Sequence, residues 1–309
     1  MPSVTSPSAP TQLSLSSLPA DVILQRGDND SGRIWGGKPR KGVAGQPVRE
    51  LQQALLALGA MSATPDGDFG RKTQDAVKRL QWYLGHISQR LRVSAGAGAL
   101  HGVLESYTAP TGLLVDGFVR VATLAELLAW QQGGFELTSP LVAMSVTSLS
   151  NIELGVGFEL LDYPSPGPDE MLVHQDFVPW VKVLNGAAKD NKVMLRINQA
   201  FRVQGLPVSG AVVPPASKSQ HLIGHAVDLN IVDGAVVNLA AMFLAGTATQ
   251  GAKDLVKAAK NLGLRWGGDF SPKDPPHFDD LVDPAGAQYL HSFYFAQRAF
   301  AAQHPVRSA

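Results

Sequence analysis

One pattern occurs twice in the first half of this chain, and it restricts what that half can fold into. Asp66-Gly67 stands just ahead of Thr73, and Asp116-Gly117 stands at the same distance ahead of Thr123. Asp-Gly is a turn signal with a mechanism, because glycine accepts backbone angles that a side chain forbids. Each copy runs on into an amphipathic segment. In the first, Ala76, Val77, Leu80 and Leu84 share one helical face; the second reads ATLAELLAW. An earlier segment, PVRELQQALLALGA, puts Val48, Leu51, Leu55 and Leu58 at steps of three and four. Pro47 suits its first turn and Gly59 its end. The spacing predicts a small all-α, three-helix domain over residues 42–132, interrupted by a Gly/Ala/Ser-rich insertion at about 85–110.

The rest of the chain divides by composition. Residues 1–41 are expected to form a polar N-terminal tail, with Arg33, Lys38, Arg40 and Lys41 in a solvated loop. Residues 133–151 mix Gly, Ser, Thr and Pro and read as a linker. Residues 152–309 form the second domain. Helices are expected over about 175–189, 252–262 and 285–303, and strands at LRINQAF, HAVDLNIV and HFDDLV. The irregular alternation predicts an α+β domain, a small mixed or antiparallel sheet with flanking helices. A length of 309 residues is enough for two domains.

Composition removes several function classes. Cysteine is absent, which excludes disulfides, thiolate nucleophiles, Cys-ligated zinc and iron–sulfur clusters. A metal would have to be held by His, Asp or Glu, and eight histidines are present. Lys and Arg together number 26 and Asp and Glu also number 26, so no basic footprint points to nucleic acid. The most apolar run, about 235–246, is broken by Asn238 and is too short to span a membrane. The first residues have neither a basic n-region nor an apolar h-region. The expectation is a monomer made in the cytoplasm without a signal peptide.

The chemistry concentrates in SQHLIGHAVD, residues 219–228. On a strand beginning near His225, Ala226, Asp228 and Asn230 share one face, and Val227, Leu229 and Ile231 the other. The apolar set belongs to the core, so Asp228 points the opposite way. His221 lies in the turn before the strand, and Gly224 permits that turn. A third candidate, His277, opens a short strand after WGGDFSPKDPP, with Asp274 three residues ahead and stiffened by Pro275 and Pro276. Two imidazoles and one carboxylate leave a fourth tetrahedral position free, as in catalytic rather than structural zinc sites. Ser219 either bonds a ligand or caps the turn. Asp269 either braces the site or caps a turn, and Trp266 forms a wall of the cleft or part of the core. His225 alternates onto the apolar side and reads as structural. His86, His101, His174, His291 and His304 show no partner pattern. The segment Gly205–Lys218 is either a cover for the cleft or a passive loop.

Two resemblances add to this reading. GQPVRELQQALLALG, PDGDFGRKTQDAVKRLQ and TGLLVDGFVRVATLAELL together resemble the peptidoglycan-binding domain family, with the 85–110 insertion as a departure. SxHxxGxAxD followed by WGGDF and DxPHF is similar to the zinc metallopeptidases that include D-Ala-D-Ala carboxypeptidases and L-alanyl-D-glutamate endopeptidases, and resembles most the endopeptidase branch with its phage endolysins. That resemblance implies zinc held by His221, Asp228 and His277, with Asp274 as general base. Arg202, in QAFR, matches an upstream arginine that would help stabilise the oxyanion. The implied function is a wall-anchored peptidase cutting the L-Ala–D-Glu bond of peptidoglycan stem peptides and acting on the periplasmic wall after release or delivery. Alternatives are a D-Ala-D-Ala carboxypeptidase, a type VI-delivered wall hydrolase, and a non-catalytic wall-binding protein. Against the last, all three ligands and the base carboxylate are present.

Overall fold

Two buried glutamines organise the first of two units, residues 1–138. The structure is a computed structural model. It describes residues 11–32, 34–35, 38–39, 43–87, 89–93, 102–137, 140–155, 158, 169–205, 214 and 216–299. Helices α1 (Pro47–Ala57), α2 (Arg71–His86) and α3 (Val121–Gly133) carry the expected apolar faces. Gln52 of α1 accepts from the backbone N–H groups of Asp66 and Gly67, and donates to Thr73 Oγ1 and the Asp68 carbonyl. Gln81 of α2 repeats this at the second turn: it accepts from Asp116 and Gly117 and donates to Thr123 Oγ1 and the Phe118 carbonyl. Gly67 and Gly117 sit at φ +83° and +80°, where a side chain would be strained. The twofold pattern is thus one hydrogen-bonded device used twice.

One expectation for this unit needs correction. Residues 11–32 are no tail: Leu15, Val22 and Leu24 are buried, and Leu24 bridges Val119. The Asp30 carboxylate accepts from the N–H groups of Val48 and Arg49, capping the first turn of α1 from a distance. Lone apolar residues without a period hid this packing. The insertion, moreover, is structured where described. Gln89–Val93 and Gly102–Ser106 pair antiparallel, and Phe135–Glu136 adds a third strand.

The second unit spans residues 139–309. Its strands are β1 (Leu141–Ser145), β2 (Ile152–Leu154), β3 (Glu170–His174), β4 (Met194–Gln199), β5 (Ala226–Asp233), β6 (Val236–Asn238), β7 (Arg265–Trp266) and β8 (His277–Asp279). Strand β1 pairs with β3, so five residues of the expected linker form a strand of this unit. Its LVAMS sequence lacks alternation and is not legible as an edge strand. The main sheet runs β7-β8-β5-β4-β2, with β6 also pairing β5. All contacts in it are antiparallel except β4 with β2.

Helices α4 (Val178–Asp190) and α6 (Gln250–Asn261) lie on one sheet face. There Val181, Leu184, Leu255 and Ala259 pack with Leu195, Ile197, Val227, Leu229, Ile231 and Phe278. Burial of this apolar set is what forces the alternate residues of β5 onto the opposite face. A short helix α5 (Ala240–Leu244) precedes α6. The last helix, α7, covers Ala287–Tyr294, two residues later than expected, and loosens into a π-turn over Phe295–Ala299; residues 300–303 of the expected helix lie outside the described residues. Strand β8 stops at Asp279, short of the expected HFDDLV, because Leu281 takes φ +57° and ends the extended run.

Candidate metal centre

The register of β5 against β8 sets Asp228 directly opposite His277. Opposed residues of an antiparallel pair project to the same side, about 5 Å apart at their Cβ atoms. Here that side is the one away from the core. Between Ile197 and Gln199 the pairing of β4 with β5 shifts by a bulge, beside Asp228. His221 arrives from a 3₁₀ turn, Gln220–Ile223. Ser219 Oγ accepts from the His221 N–H at 3.3 Å, so Ser219 caps this turn. The turn ends on Gly224 at φ +74°, where a Cβ would stand 2.6 Å from the His174 nitrogen. Glycine is therefore required there for both conformation and space.

His221 Nε2, Asp228 Oδ1 and His277 Nδ1 form a triangle with sides of 3.0, 3.1 and 3.1 Å. Ligands at about 2.0–2.1 Å from a tetrahedral zinc ion stand about 3.3 Å apart. The triangle is thus close to one face of such a tetrahedron. The outer nitrogens add a second argument. His221 Nδ1 lies 2.6 Å from the Ala200 carbonyl oxygen, and His277 Nε2 lies 2.9 Å from Asp279 Oδ2. Both partners accept hydrogen bonds, so each ring places its N–H outward and its lone pair inward. Three acceptor atoms then face one another, an arrangement that needs a cation or a proton among them. The residues fit a divalent metal, and among the described residues this is the one group of three that does.

The electrostatics agree. Burial works to raise the Asp228 carboxyl, but His221 and His277 hold it well below the carboxylate range. Burial opposes charge on His277 as well, yet Asp228 and Asp279 push it up to about 9.

Asp274 sits in the loop that delivers His277. Its N–H donates to the Gly267 carbonyl, and its own carbonyl accepts from the His277 N–H. Burial, reinforced by the Asp228 charge, raises its carboxyl above the usual range; His277 and His221 pull the other way. Arg202 is 6% exposed. Its N–H donates to the His221 carbonyl, which ties the end of QAFR to the ligand turn. Among the described residues its guanidinium makes no hydrogen bond or ion pair; it lies within the electrostatic reach of Asp228 and Tyr289.

Two expected contributors stand elsewhere. Asp269 does not join the cluster: its carboxylate is 2.5 Å from Lys260 Nζ, and its side chain is 52% exposed. The short helix Gly267–Asp269 turns it toward α6. Trp266 shares the core face with Phe243 and donates from Nε1 to the Pro275 carbonyl, so it supports the loop from behind rather than walling the cleft. The central part of the Gly205–Lys218 loop lies outside the described residues.

Sequence reasoning missed the role of Asp279 and the neighbour of His174. Asp279 is fully buried and accepts from Arg265 Nε and Nη2, both at 2.7 Å. The signal was available: an acid two residues after His277 shares its strand face. His174, read as having no partner, sets its ring 4.3 Å from that of His225, tilted by 39°. His225, read as structural, is buried with Nδ1 3.0 Å from Asp280.

Comparison with known proteins matches residues 214–280 to the family described as D-alanyl-D-alanine carboxypeptidase. Residues 44–86 match the family described as "Putative peptidoglycan binding domain". The solved L-Ala D-Glu endopeptidase ChiX of Serratia marcescens is 27% identical, over 35% of this chain and 79% of that one, with a TM-score of 0.26. No curated protein matches the chain. The first unit thus contains a segment similar to peptidoglycan-binding domains, and the second a segment similar to peptidases described as D-alanyl-D-alanine carboxypeptidases.

Proposed function

We propose that this peptidoglycan peptidase is a zinc-dependent endopeptidase that cuts the L-Ala–D-Glu bond of the stem peptide while its first unit holds the wall. The observation that carries the reading is the triangle of His221, Asp228 and His277, with Asp274 in the loop beside it. These three residues would hold the ion. Zinc bound there supplies Lewis-acid polarisation and makes water acidic enough to ionise near neutral pH. Asp274 takes the proton of the attacking water and returns it to the leaving amine. Its raised pKa suits a group that must both accept and release a proton. Arg202, buried and lacking a partner among the described residues, faces negative charge developing on the scissile carbonyl oxygen or a carboxylate of the stem. Tethering by the first unit raises the local concentration of stem peptides without altering the chemistry.

In this reading the enzyme is endolysin-like: made in the cytoplasm and acting on the periplasmic wall after release or delivery by another system, a type VI apparatus included. The matched family's own description favours a second bond, the terminal D-Ala–D-Ala. Digestion of purified sacculi with zinc or with chelator, followed by mass analysis, separates the readings. Muropeptides with a free D-Glu amine support the endopeptidase, and loss of only a terminal D-Ala supports the carboxypeptidase. Intact stems in the presence of zinc would exclude both.

A further inference from the structure

The two imidazoles of the triangle are held differently. His221 turns Nδ1 to a neutral acceptor, the Ala200 carbonyl, whereas His277 turns Nε2 to a carboxylate, that of Asp279. Asp279 is itself immobilised. Its two oxygens take the fork of Arg265, and Oδ1 also accepts from the Leu281 N–H at 3.0 Å. Arg265 and Asp279 are opposed residues of β7 and β8, so backbone pairing sets the fork before the side chains meet. A planar guanidinium bound through two parallel hydrogen bonds fixes the plane of the carboxylate as well as its position. The Arg265 guanidinium also lies 5.1 Å from the centre of the Phe270 ring, and that ring lies 5.7 Å from the His277 ring. His277 is thus gripped at its outer nitrogen and along its side.

We propose that Asp279, clamped by Arg265, is a positioning residue that fixes the tautomer and rotation of His277 and so sets how tightly the His221–Asp228–His277 cluster holds a divalent ion. The inference rests on the metallopeptidase reading above. A neutral His277 free to choose its tautomer would spend part of its time with Nδ1 protonated, and a protonated nitrogen cannot coordinate. Partners of this kind behind a metal-bound histidine typically account for about 10–100-fold in metal affinity.

The competing account is that Arg265 and Asp279 form a buried ion pair that supports the fold alone. It predicts lower stability but an unchanged dissociation constant in whatever protein remains folded. The test uses the full chain and its Asp279→Asn and Arg265→Lys variants. Zinc affinity is measured by competition with a chromophoric chelator, folding by circular dichroism, and ligand geometry by the visible spectrum of the cobalt-loaded protein. We expect one tight zinc in the wild type, about 10–100-fold weaker binding in folded Asp279→Asn, a smaller loss in Arg265→Lys, and altered cobalt bands in both. Should Asp279→Asn fail to fold, Arg265→Lys carries the test, since lysine keeps the charge but loses the fork. Wild-type affinity and wild-type cobalt bands in a folded variant would overturn the positioning role while leaving the metallopeptidase reading intact. A wild-type chain that takes up no zinc would overturn both.

Discussion

Gly267 and Asp274 are packed so closely that a methyl group on the first would collide with the carbonyl oxygen of the second. The same methyl would stand 2.8 Å from His277 Cβ. The backbone around Gly267 is thus the seat on which the DPPH loop rests. Gly267→Ala should push that loop outward and separate Asp274 and His277 from their working positions. A misplacement of about 1 Å can cost about 100-fold in rate. Kinetics on purified sacculi, with zinc content measured alongside, would test this; a fully active Gly267→Ala enzyme would show that the contact is dispensable.

Asp274→Asn separates proton transfer from metal holding. Asparagine retains the shape and the backbone hydrogen bonds of the loop but cannot accept a proton. We expect zinc content to stay near that of the wild type and turnover to drop by about 100–10,000-fold, the usual range for a general base. His221→Ala should behave in the opposite way and lose the metal itself. Elemental analysis of the two purified variants distinguishes them, and normal turnover in Asp274→Asn would remove it from the mechanism.

Protein stripped of metal by a chelator should show a pH dependence that zinc abolishes. His277 is raised from 6.5 to about 9, so the stability it contributes is complete below about pH 6.5 and disappears as pH climbs through about 9. Asp228 and Asp279 are depressed below 3.8, so their contribution is complete above that value and is lost as pH falls further. These are largely the same contacts seen from both partners. The melting temperature of chelated protein should therefore be highest between about pH 4 and 6.5 and decline toward pH 9. With zinc bound, the alkaline decline should vanish, because coordination then takes the place of the proton. Melts recorded across this range with and without zinc suffice, and a flat profile for the chelated protein would count against the assignment.

Each buried glutamine of the first unit satisfies a whole turn, and its loss should be felt there. Gln52→Ala or Gln81→Ala takes the acceptor from two backbone donors of the turn. Unsatisfied buried groups cost about 1–3 kcal/mol each. Either variant should lower the unfolding free energy by more than about 2 kcal/mol in denaturant titrations. A change below about 0.5 kcal/mol, the size of an ordinary surface substitution, would mean water replaces the side chain at no cost.

The parts of the molecule legible in the sequence are those written in local periodicity. The helices around Leu51, Leu80 and Leu255 and the alternation of β5 are of this kind, and the alternation alone puts Asp228 on the face away from the core. The cluster was legible because its members sit in two short motifs. Contacts that depend on distant register were not. Nothing near Leu24 announces that it meets Val119. Nothing near Asp269 announces Lys260, although both ends of that ion pair are exposed and it adds little to stability. Asp279 hid inside a run read only as a strand, and its meaning depends on Arg265 being paired across from it. His225 and Asp280 meet only once β5 and β8 are side by side.

The two glutamine staples close very different lengths of chain. Gln52 reaches a threonine 21 residues on, and Gln81 reaches one 42 residues on, with the Gln89–Ser106 hairpin inside the longer span. Loop closure becomes costlier only slowly with length, so a joint that grips the two ends of a segment is indifferent to how much lies between them. The second staple is therefore a natural splice point, where an extra module could be lodged, exchanged or removed in evolution or by engineering while both helices keep their seating.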